Sequence, residues 1–237
     1  RKIISIVIKA DAKITYKEFS KAEAKNLSRN EIIKQMLASG LWPFVRQRPF
    51  AIIANPIDIP KAIFISAFDS APLACDNDFI LHGMEEEFQT GLDIVTKLTE
   101  GKTHLNLDGN ASSSSVFMSA KGVQINNFSG PHPAGNVGVQ IHHIDPINKG
   151  EVVWYMYPQD VITIGRLFSK GKYDATRLVA LAGSEVIKPR YYRTMQGASI
   201  SQIIHGNIKE GNNRFISGNV LTGTQIETKG YLGFYHN

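Results

Sequence analysis

At 237 residues, 43% of them hydrophobic and 20% charged, the chain is long enough for one large or two modest domains with real cores. No apolar run approaches the ~18–20 residues of a membrane-spanning helix, and the single cysteine, Cys75, excludes an internal disulfide and a cysteine-based metal cluster and fits a reducing compartment. The net charge of +5 is uneven: residues 1–50 carry 11 Lys/Arg against 4 Asp/Glu, residues 51–185 carry 9 against 15, and residues 186–237 carry 6 against 2. Basic ends around an acidic middle suit an acidic protein partner, anionic lipid or nucleic acid. The lysines at 9, 13, 17, 21 and 25 have only Tyr16 and Phe19 among them, which favours a solvated face over a nucleic-acid stripe.

No signal peptide is visible, and the chain opens on Arg1 inside a strand-like run, as a fragment lacking its N-terminal part would. Residues 3–8 are β-branched and read as the last strand of a truncated domain, with residues 13–26 as a polar linker. Ser28 and Glu31 match a capping box opening a helix that carries Ile32, Ile33, Met36 and Leu37, with Gly40 at the C′ position. The segment Leu41-Trp42-Pro43-Phe44-Val45-Arg46-Gln47-Arg48-Pro49-Phe50 reads as an aromatic and arginine-rich loop. It suits a flat or anionic ligand, but its aromatics plugging the core while its arginines face water is the favoured reading.

Residues 62–68 form a buried strand ending in Asp69-Ser70-Ala71-Pro72, where Asp69 is placed either for a site or to hydrogen-bond its own turn. Residues 84–99 are helical, with Met84, Phe88, Leu92, Val95 and Leu98 on one stripe and Glu85, Glu86 and Glu87 in the first turn, as the macrodipole prefers. Residues 103–107 are a short strand and residues 108–115 a flexible excursion. Then comes the stretch that organises the chain. A strand over 123–128 leads into Gly130-Pro131-His132-Pro133-Ala134-Gly135-Asn136-Val137-Gly138, which opens a helix carrying Val137, Ile141 and Ile144. Such strand-to-helix turns are where open α/β sheets bind ligands, and the free N–H groups favour an anion or polar headgroup; a ligand-free βα connection is an equal alternative.

A strand over 152–155, a helix with Pro158 at its first position, and a further strand over 177–182 complete an alternation that predicts βαβ units and a largely parallel sheet. After Lys188-Pro189 the pattern breaks into short strands, a small helix over 199–204 and turns at Gly206, Gly211 and Gly223, a small α+β module. The glycine-rich nucleotide motifs and the nucleophile elbow are absent. His142 and His143 are adjacent, a poor metal pair on a helix, and His132 with Asp145 is a pair that sequence can neither join nor separate.

Taken together, these stretches resemble the NqrA family of the sodium-translocating NADH:quinone oxidoreductases. The carrying residues are Leu37-Ala38-Ser39-Gly40-Leu41-Trp42-Pro43-Phe44 with Arg46, Arg48, Pro49 and Phe50, then Asp69-Ser70-Ala71-Pro72-Leu73-Ala74 and Leu98-Thr99-Glu100-Gly101-Lys102. They continue in order through Phe128-Ser129-Gly130-Pro131-His132-Pro133-Ala134-Gly135, Gln159-Asp160-Val161-Ile162, Val179-Ala180-Leu181-Ala182-Gly183, Ile216-Ser217-Gly218 and Tyr231-Leu232-Gly233-Phe234-Tyr235-His236-Asn237. The family is itself similar to the flavin-binding component of complex I and to the RnfC component of the RNF complex.

The resemblance implies a Rossmann-like α/β domain over 28–185, a β-grasp module of the soluble-ligand-binding type with the start of the C-terminal region over 186–237, and a remnant strand and linker over 1–27. It implies a peripheral subunit on the cytoplasmic face of a bacterial inner membrane, held by the other subunits of a respiratory complex. There it contributes to reduction of ubiquinone or menaquinone coupled to sodium export, with no span of its own and no nucleic acid. The flavin relatives have a glycine run where this sequence has Ser39-Gly40-Leu41-Trp42-Pro43, and an acidic residue where it has Ala71. FMN is therefore expected not to bind, with no covalent cofactor and no metal here and with flavins, the Fe–S cluster and the NADH site on partner subunits. By residue type and loop position, Trp42, Phe44, Arg46, Arg48 and His132 are the expected quinone ligands. Gly40, Asp69, Pro72, Gly130, Pro133 and Gly135 mark the family's loops. The rival readings are an FMN- and NADH-binding dehydrogenase subunit, or a structural subunit whose cleft is closed.

Overall fold

Helix α1 (Arg29–Ser39) starts on the expected reciprocal box: the Ser28 N–H donates to Glu31 Oε2 at 2.8 Å, and the Glu31 N–H donates to Ser28 Oγ at 3.4 Å. It stops at Gly40, which takes the left-handed conformation at φ 80°. Ile32, Ile33 and Met36 are buried, whereas Leu37 of the expected stripe is half exposed. The computed structural model describes residues 3, 6–11, 13–111 and 115–236, the side chain of Ser115 excepted.

The segment expected as a loop after α1 is a tight turn over Trp42–Phe44 followed by an antiparallel hairpin, β1 (Arg46–Arg48) and β2 (Ile52–Ile53). Chain order then runs β3 (Ala62–Ser66), α2 (Asn77–Leu81), α3 (Glu85–Thr96), β4 (Lys102–Asp108), α4 (Ser115–Met118) and β5 (Gln124–Phe128). Next come α5 (Val137–Ile144), β6 (Val153–Met156) and α6 (Pro158–Lys170), with Pro158 at the first helical position. Of the predicted excursion over 108–115, residues 112–114 lie outside the described residues, and Ser115 begins α4.

The main sheet has the order β2-β1-β6-β3-β4-β5, in which β3, β4, β5 and β6 pair in parallel and β1 pairs antiparallel to both β6 and β2. All five residues of β3 are buried, as a central parallel strand requires. On one face α1, α3 and α6 cover a core containing Met36, Phe64's neighbours Ile63 and Ile65, Phe88, Trp154 and Phe168. On the other face α5 covers a smaller cluster of Phe64, Val137, Ile141, Val153 and Tyr155. Helices α3 and α6 approach backbone to backbone, because a Cβ on Gly165 would lie 1.9 Å from the Glu87 carbonyl oxygen.

Two expectations change. Of residues 3–8, Ile4 and Ser5 lie outside the described residues; Ile3, Ile6, Val7 and Ile8 are exposed and belong to no strand. The strand expected over 177–182 to extend the parallel sheet is β7 (Thr176–Leu181), which pairs antiparallel with β8 (Arg190–Met195) in a separate two-stranded sheet. Its sequence carries a strand signal, but pairing partner and direction are set by β8, a short polar strand that periodicity does not reveal. The α+β module is completed by α7 (Ser201–Ile204) and by the hairpin β9 (Phe215–Ser217) and β10 (Thr224–Ile226). No helix among the described residues is long and apolar enough to cross a membrane.

Candidate functional site

The carboxyl ends of the parallel strands face the α+β module across a cleft of about 800 Å³. From the sheet side come Ser66 at the end of β3, Asp69 and Pro72 after it, Tyr157 after β6, and Arg46 from β1. From the module side come aliphatic residues, among them Val179, Leu181, Ile200, Ile203 and Ile216. Both walls mix the two kinds of group, with Leu73 and Cys75 on the sheet side and Asn213, Arg214 and His236 on the module side, as small-molecule sites do.

Each polar residue is held by local structure. Asp69 Oδ1 accepts the Ala71 N–H at 2.9 Å, so the carboxylate closes its own turn. Leu73 follows with φ 60°, a left-handed conformation unusual for a branched side chain, and projects 60% exposed at the mouth of the cleft. The Tyr157 N–H donates to Asp160 Oδ2 at 3.1 Å, fixing the start of α6. Burial, with Tyr155, Asp160 and Asp69 adding, pushes the Tyr157 phenol up to about 12, so its O–H keeps the proton. Arg46 donates to the Ala51 carbonyl and lies over the Tyr235 ring at 4.2 Å. Tyr235 in turn donates to the Pro43 carbonyl at 3.0 Å, and Phe234 stacks on Phe44 at 5.0 Å. The C-terminal segment thus straps the module back onto the sheet at the end of the cleft. His236 also lines it, with Nδ1 2.8 Å from Ser217 Oγ.

Of the residues expected to bind quinone, Arg46 alone lines this cleft, joined there by Asp69 and Pro72 from the family loops. Trp42 is 3% exposed and donates to the Ala54 carbonyl at 2.7 Å, edge-on to Trp154. Phe44 is 1% exposed. Both aromatics are core, and neither lines the cleft. Arg48 lies over Tyr155 at 5.4 Å and beside Gly138 of α5. His132 is exposed, its Nδ1 3.1 Å from Ser70 Oγ. Neither Trp42 nor His132 lines the cleft.

The central turn is occupied by the chain itself. Gly135 donates to Ser70 Oγ at 2.8 Å, Asn136 donates to the Pro133 carbonyl at 2.8 Å, and Gln140 Nε2 donates to the Gly135 carbonyl at 3.3 Å. A Cβ on Gly135 would lie 2.2 Å from the Ser70 nitrogen, so this glycine lets the loops after β3 and β5 cross. Gly130 takes φ 133° in the same turn as Pro133, and neither lines the cleft, nor does Gly40 at the end of α1. His132 and Asp145 are not paired, since Asp145 bonds Lys61 at 2.6 Å. Among the described residues no group of His, Cys, Asp and Glu could hold a metal ion.

Tyr157, Tyr235 and His236 are cleft residues that sequence reasoning does not name as site residues, although Tyr235 and His236 belong to a stretch that carries the family resemblance. Tyr157 carries a usable signal, since it follows an apolar strand and precedes the Pro158 that starts a helix, at a strand's carboxyl end. The other two reach the cleft only because the chain returns to it from the far end of the second module.

Comparison with known proteins gives a consistent assignment. Residues 27–173 match the profile described as the NqrA second alpha/beta domain, and residues 178–228 the NQRA C-terminal domain. The NqrA protein of the Na(+)-translocating NADH-quinone reductase of Yersinia pestis bv. Antiqua is 43% identical over 235 residues, 98% of this chain and 52% of that one. The protein of the same name from Photorhabdus laumondii is 42% identical over 234 residues, and that from Marinomonas sp. is 38% identical over 233, again covering 98% of this chain and 52% of theirs. The chain therefore spans about half the length of these relatives. In structure it is similar to a chain of an NAD+-reducing NiFe hydrogenase in the air-oxidized state, with a TM-score of 0.61 over 91% of this chain and 47% of that one. At 12% identity that likeness shows the fold alone. With both profiles matched in order across a parallel sheet and its α+β module, the chain belongs to the NqrA family.

Proposed function

We propose that this chain is the part of a sodium-translocating NADH:quinone oxidoreductase that presents a quinone-accepting cleft, with quinone reduction coupled to sodium export by the assembled complex. The observation that carries the reading is the cleft at the sheet's carboxyl end, which sets aliphatic residues of the module, Ile200, Ile203 and Ile216 among them, opposite Arg46 and Tyr157 of the sheet side. A quinone is a flat apolar ring with two carbonyl acceptors, and such a site needs an apolar slot with one or two donors. Tyr157 stays protonated at neutral pH and donates to a carbonyl. The Arg46 guanidinium stabilises negative charge that develops on the quinone oxygen.

In this reading ubiquinone or menaquinone is the substrate, FMN does not bind, and flavins, the Fe–S cluster and NADH belong to partner subunits of the complex. The protein is peripheral, on the cytoplasmic face of the membrane. The names and shared length of the relatives support the complex-level assignment.

Calorimetric titration with a short-chain ubiquinone, and separately with FMN, tests the reading. Quinone binding weakened at least about tenfold by Tyr157→Phe and by Arg46→Gln, and left intact by His132→Ala, is the expected result. Stoichiometric micromolar FMN binding would replace it with a flavoprotein reading, and quinone binding indifferent to both substitutions would move the site elsewhere.

A further inference from the structure

A para-quinone carries a carbonyl oxygen at each end of its ring, and Tyr157 with Arg46 on the sheet side accounts for one of them. The module side of the cleft holds a donor of its own. His236 lines the cleft from the C-terminal strap, and its Nδ1 lies 2.8 Å from Ser217 Oγ. Ser217 is the last residue of β9, 3% exposed, and its Oγ accepts the Gly233 N–H at 2.9 Å.

These two bonds decide which ring nitrogen carries the hydrogen. Burial holds the imidazole below the usual histidine range, so at neutral pH the ring is uncharged and has a single N–H. The Ser217 hydroxyl has one hydrogen to give, and among the described residues Nδ1 of His236 is the acceptor in contact with it. The hydroxyl therefore donates to Nδ1, and the ring hydrogen sits on Nε2. Nε2 makes no hydrogen bond within the described residues and is not sealed off by protein atoms. The ring edge that bears it lies against Gly218, itself a cleft residue, where a Cβ would come within 3.0 Å of both Nε2 and Cδ2. At the other edge a Cβ on Gly233 would lie 2.5 Å from Nδ1. The absence of side chains at both positions makes room for the imidazole in this orientation. Holding the strap uses Nδ1 alone, which leaves the Nε2 N–H for a ligand.

We infer that His236, oriented by Ser217, is the second carbonyl donor of the cleft: its Nε2 N–H takes one quinone oxygen while Tyr157 takes the other. The inference rests on the quinone reading and deepens it, because the ring is then held from both modules at once. The cleft reads a para-dicarbonyl, and a flat apolar ring without the second oxygen leaves the His236 N–H unpaired. His236 is a binding residue in this scheme and Ser217 a positioning residue.

The test is calorimetric titration of the purified chain with a short-chain ubiquinone, together with proton–nitrogen correlation spectra of histidine-labelled protein. His236→Phe keeps an aromatic ring and removes the donor, and should weaken quinone binding at least about tenfold. Ser217→Ala should cost about threefold and turn the His236 spectrum from the Nε2–H form into a mixture of tautomers. In the unsubstituted chain the Nε2 resonance should shift on addition of quinone, a signal that a histidine serving only the strap would not give. Should His236→Phe fail to fold, that shift decides the matter. An Nδ1–H tautomer, an Nε2 resonance indifferent to bound quinone, or full affinity in His236→Phe beside weak binding in Tyr157→Phe would overturn the inference and leave the quinone reading in place. Binding indifferent to both Tyr157→Phe and Arg46→Gln would instead remove the quinone reading, and this inference with it.

Discussion

His104 sits inside the main sheet, 3% exposed, its ring stacked on Phe64 at 4.6 Å and its Nδ1 3.3 Å from the side-chain amide of Asn126. The neighbouring amides continue the network, Asn126 to Asn106 Oδ1 at 2.9 Å and Asn106 to Gln140 Oε1 at 2.9 Å, which leads to the Gly135 turn. Burial, with Lys102 adding, holds the imidazole below the usual histidine range. Its neutral form is therefore the folded form, and below about pH 6.5 the unfolded chain takes up a proton that the folded chain refuses. Stability should fall as pH drops through that range and level off below the folded value. Urea unfolding at a series of pH values should show this slope, and His104→Phe should reduce it; an unchanged slope would assign the acid sensitivity to other groups, such as His236, which burial also lowers. None of this network is legible in the sequence, because Asn106, Asn126 and Gln140 look like ordinary polar residues until the register of β4 with β5 sets the two asparagines side by side and α5 brings Gln140 to them. Ser28, Glu31, Gly40 and Pro158 are legible for the opposite reason. Their interactions close within three or four residues.

At the level of the elements, the contact between α3 and α6 is set by two glycines. A Cβ on Gly91 would meet the Val161 carbonyl oxygen at 2.1 Å, and one on Gly165 the Glu87 carbonyl oxygen at 1.9 Å. Gly165→Ala should therefore force the helices apart and destabilise the chain by about 3 kcal/mol, although alanine is the better helix former. Chemical denaturation measures this directly; a neutral or stabilising effect would mean that the helices slide without loss. Hydrophobic periodicity announces both helices and the parallel strands, but it misses β1. Its inward residue is Gln47, which accepts the Trp154 indole N–H at 3.0 Å. A strand that buries an amide to satisfy a tryptophan on its neighbour has no apolar alternation to read. The same blindness places Trp42 and Phe44 among the ligands, since an aromatic in a turn carries no mark of which way it faces.

For the whole molecule, the second module touches the first through β7 and β8, where Arg177 meets Asp160 and Tyr191 meets Phe79, and through the C-terminal strap, where Phe234 meets Phe44 and Arg46 meets Tyr235. Phe234→Ala should loosen the strap by about 1–2 kcal/mol, leaving the α1–α3–α6 core intact. Hydrogen exchange should then quicken in residues 231–236 and in the turn before β1 while α3 and α6 keep their protection. A uniform rise across the chain would instead make the strap part of the common core. The cleft is hidden from sequence for this reason, since its walls come from both ends of the chain. The family's loops indicate which side of the sheet to inspect, and Asp69 and Pro72 are at that side.

The chain has two tryptophans, and they form one pair: Trp42 and Trp154 lie 5.5 Å apart at 87°, both in the first module. Their intrinsic emission consequently reports the first module and is silent about the second, whose fluorophores are tyrosines. A perpendicular indole pair this close also couples its transitions, so a split near-ultraviolet circular dichroism band should accompany native β1–β6 pairing. That band and the emission should disappear together on unfolding. A signal from Tyr191, Tyr192, Tyr231 or Tyr235 that changes earlier would record the second module letting go by itself.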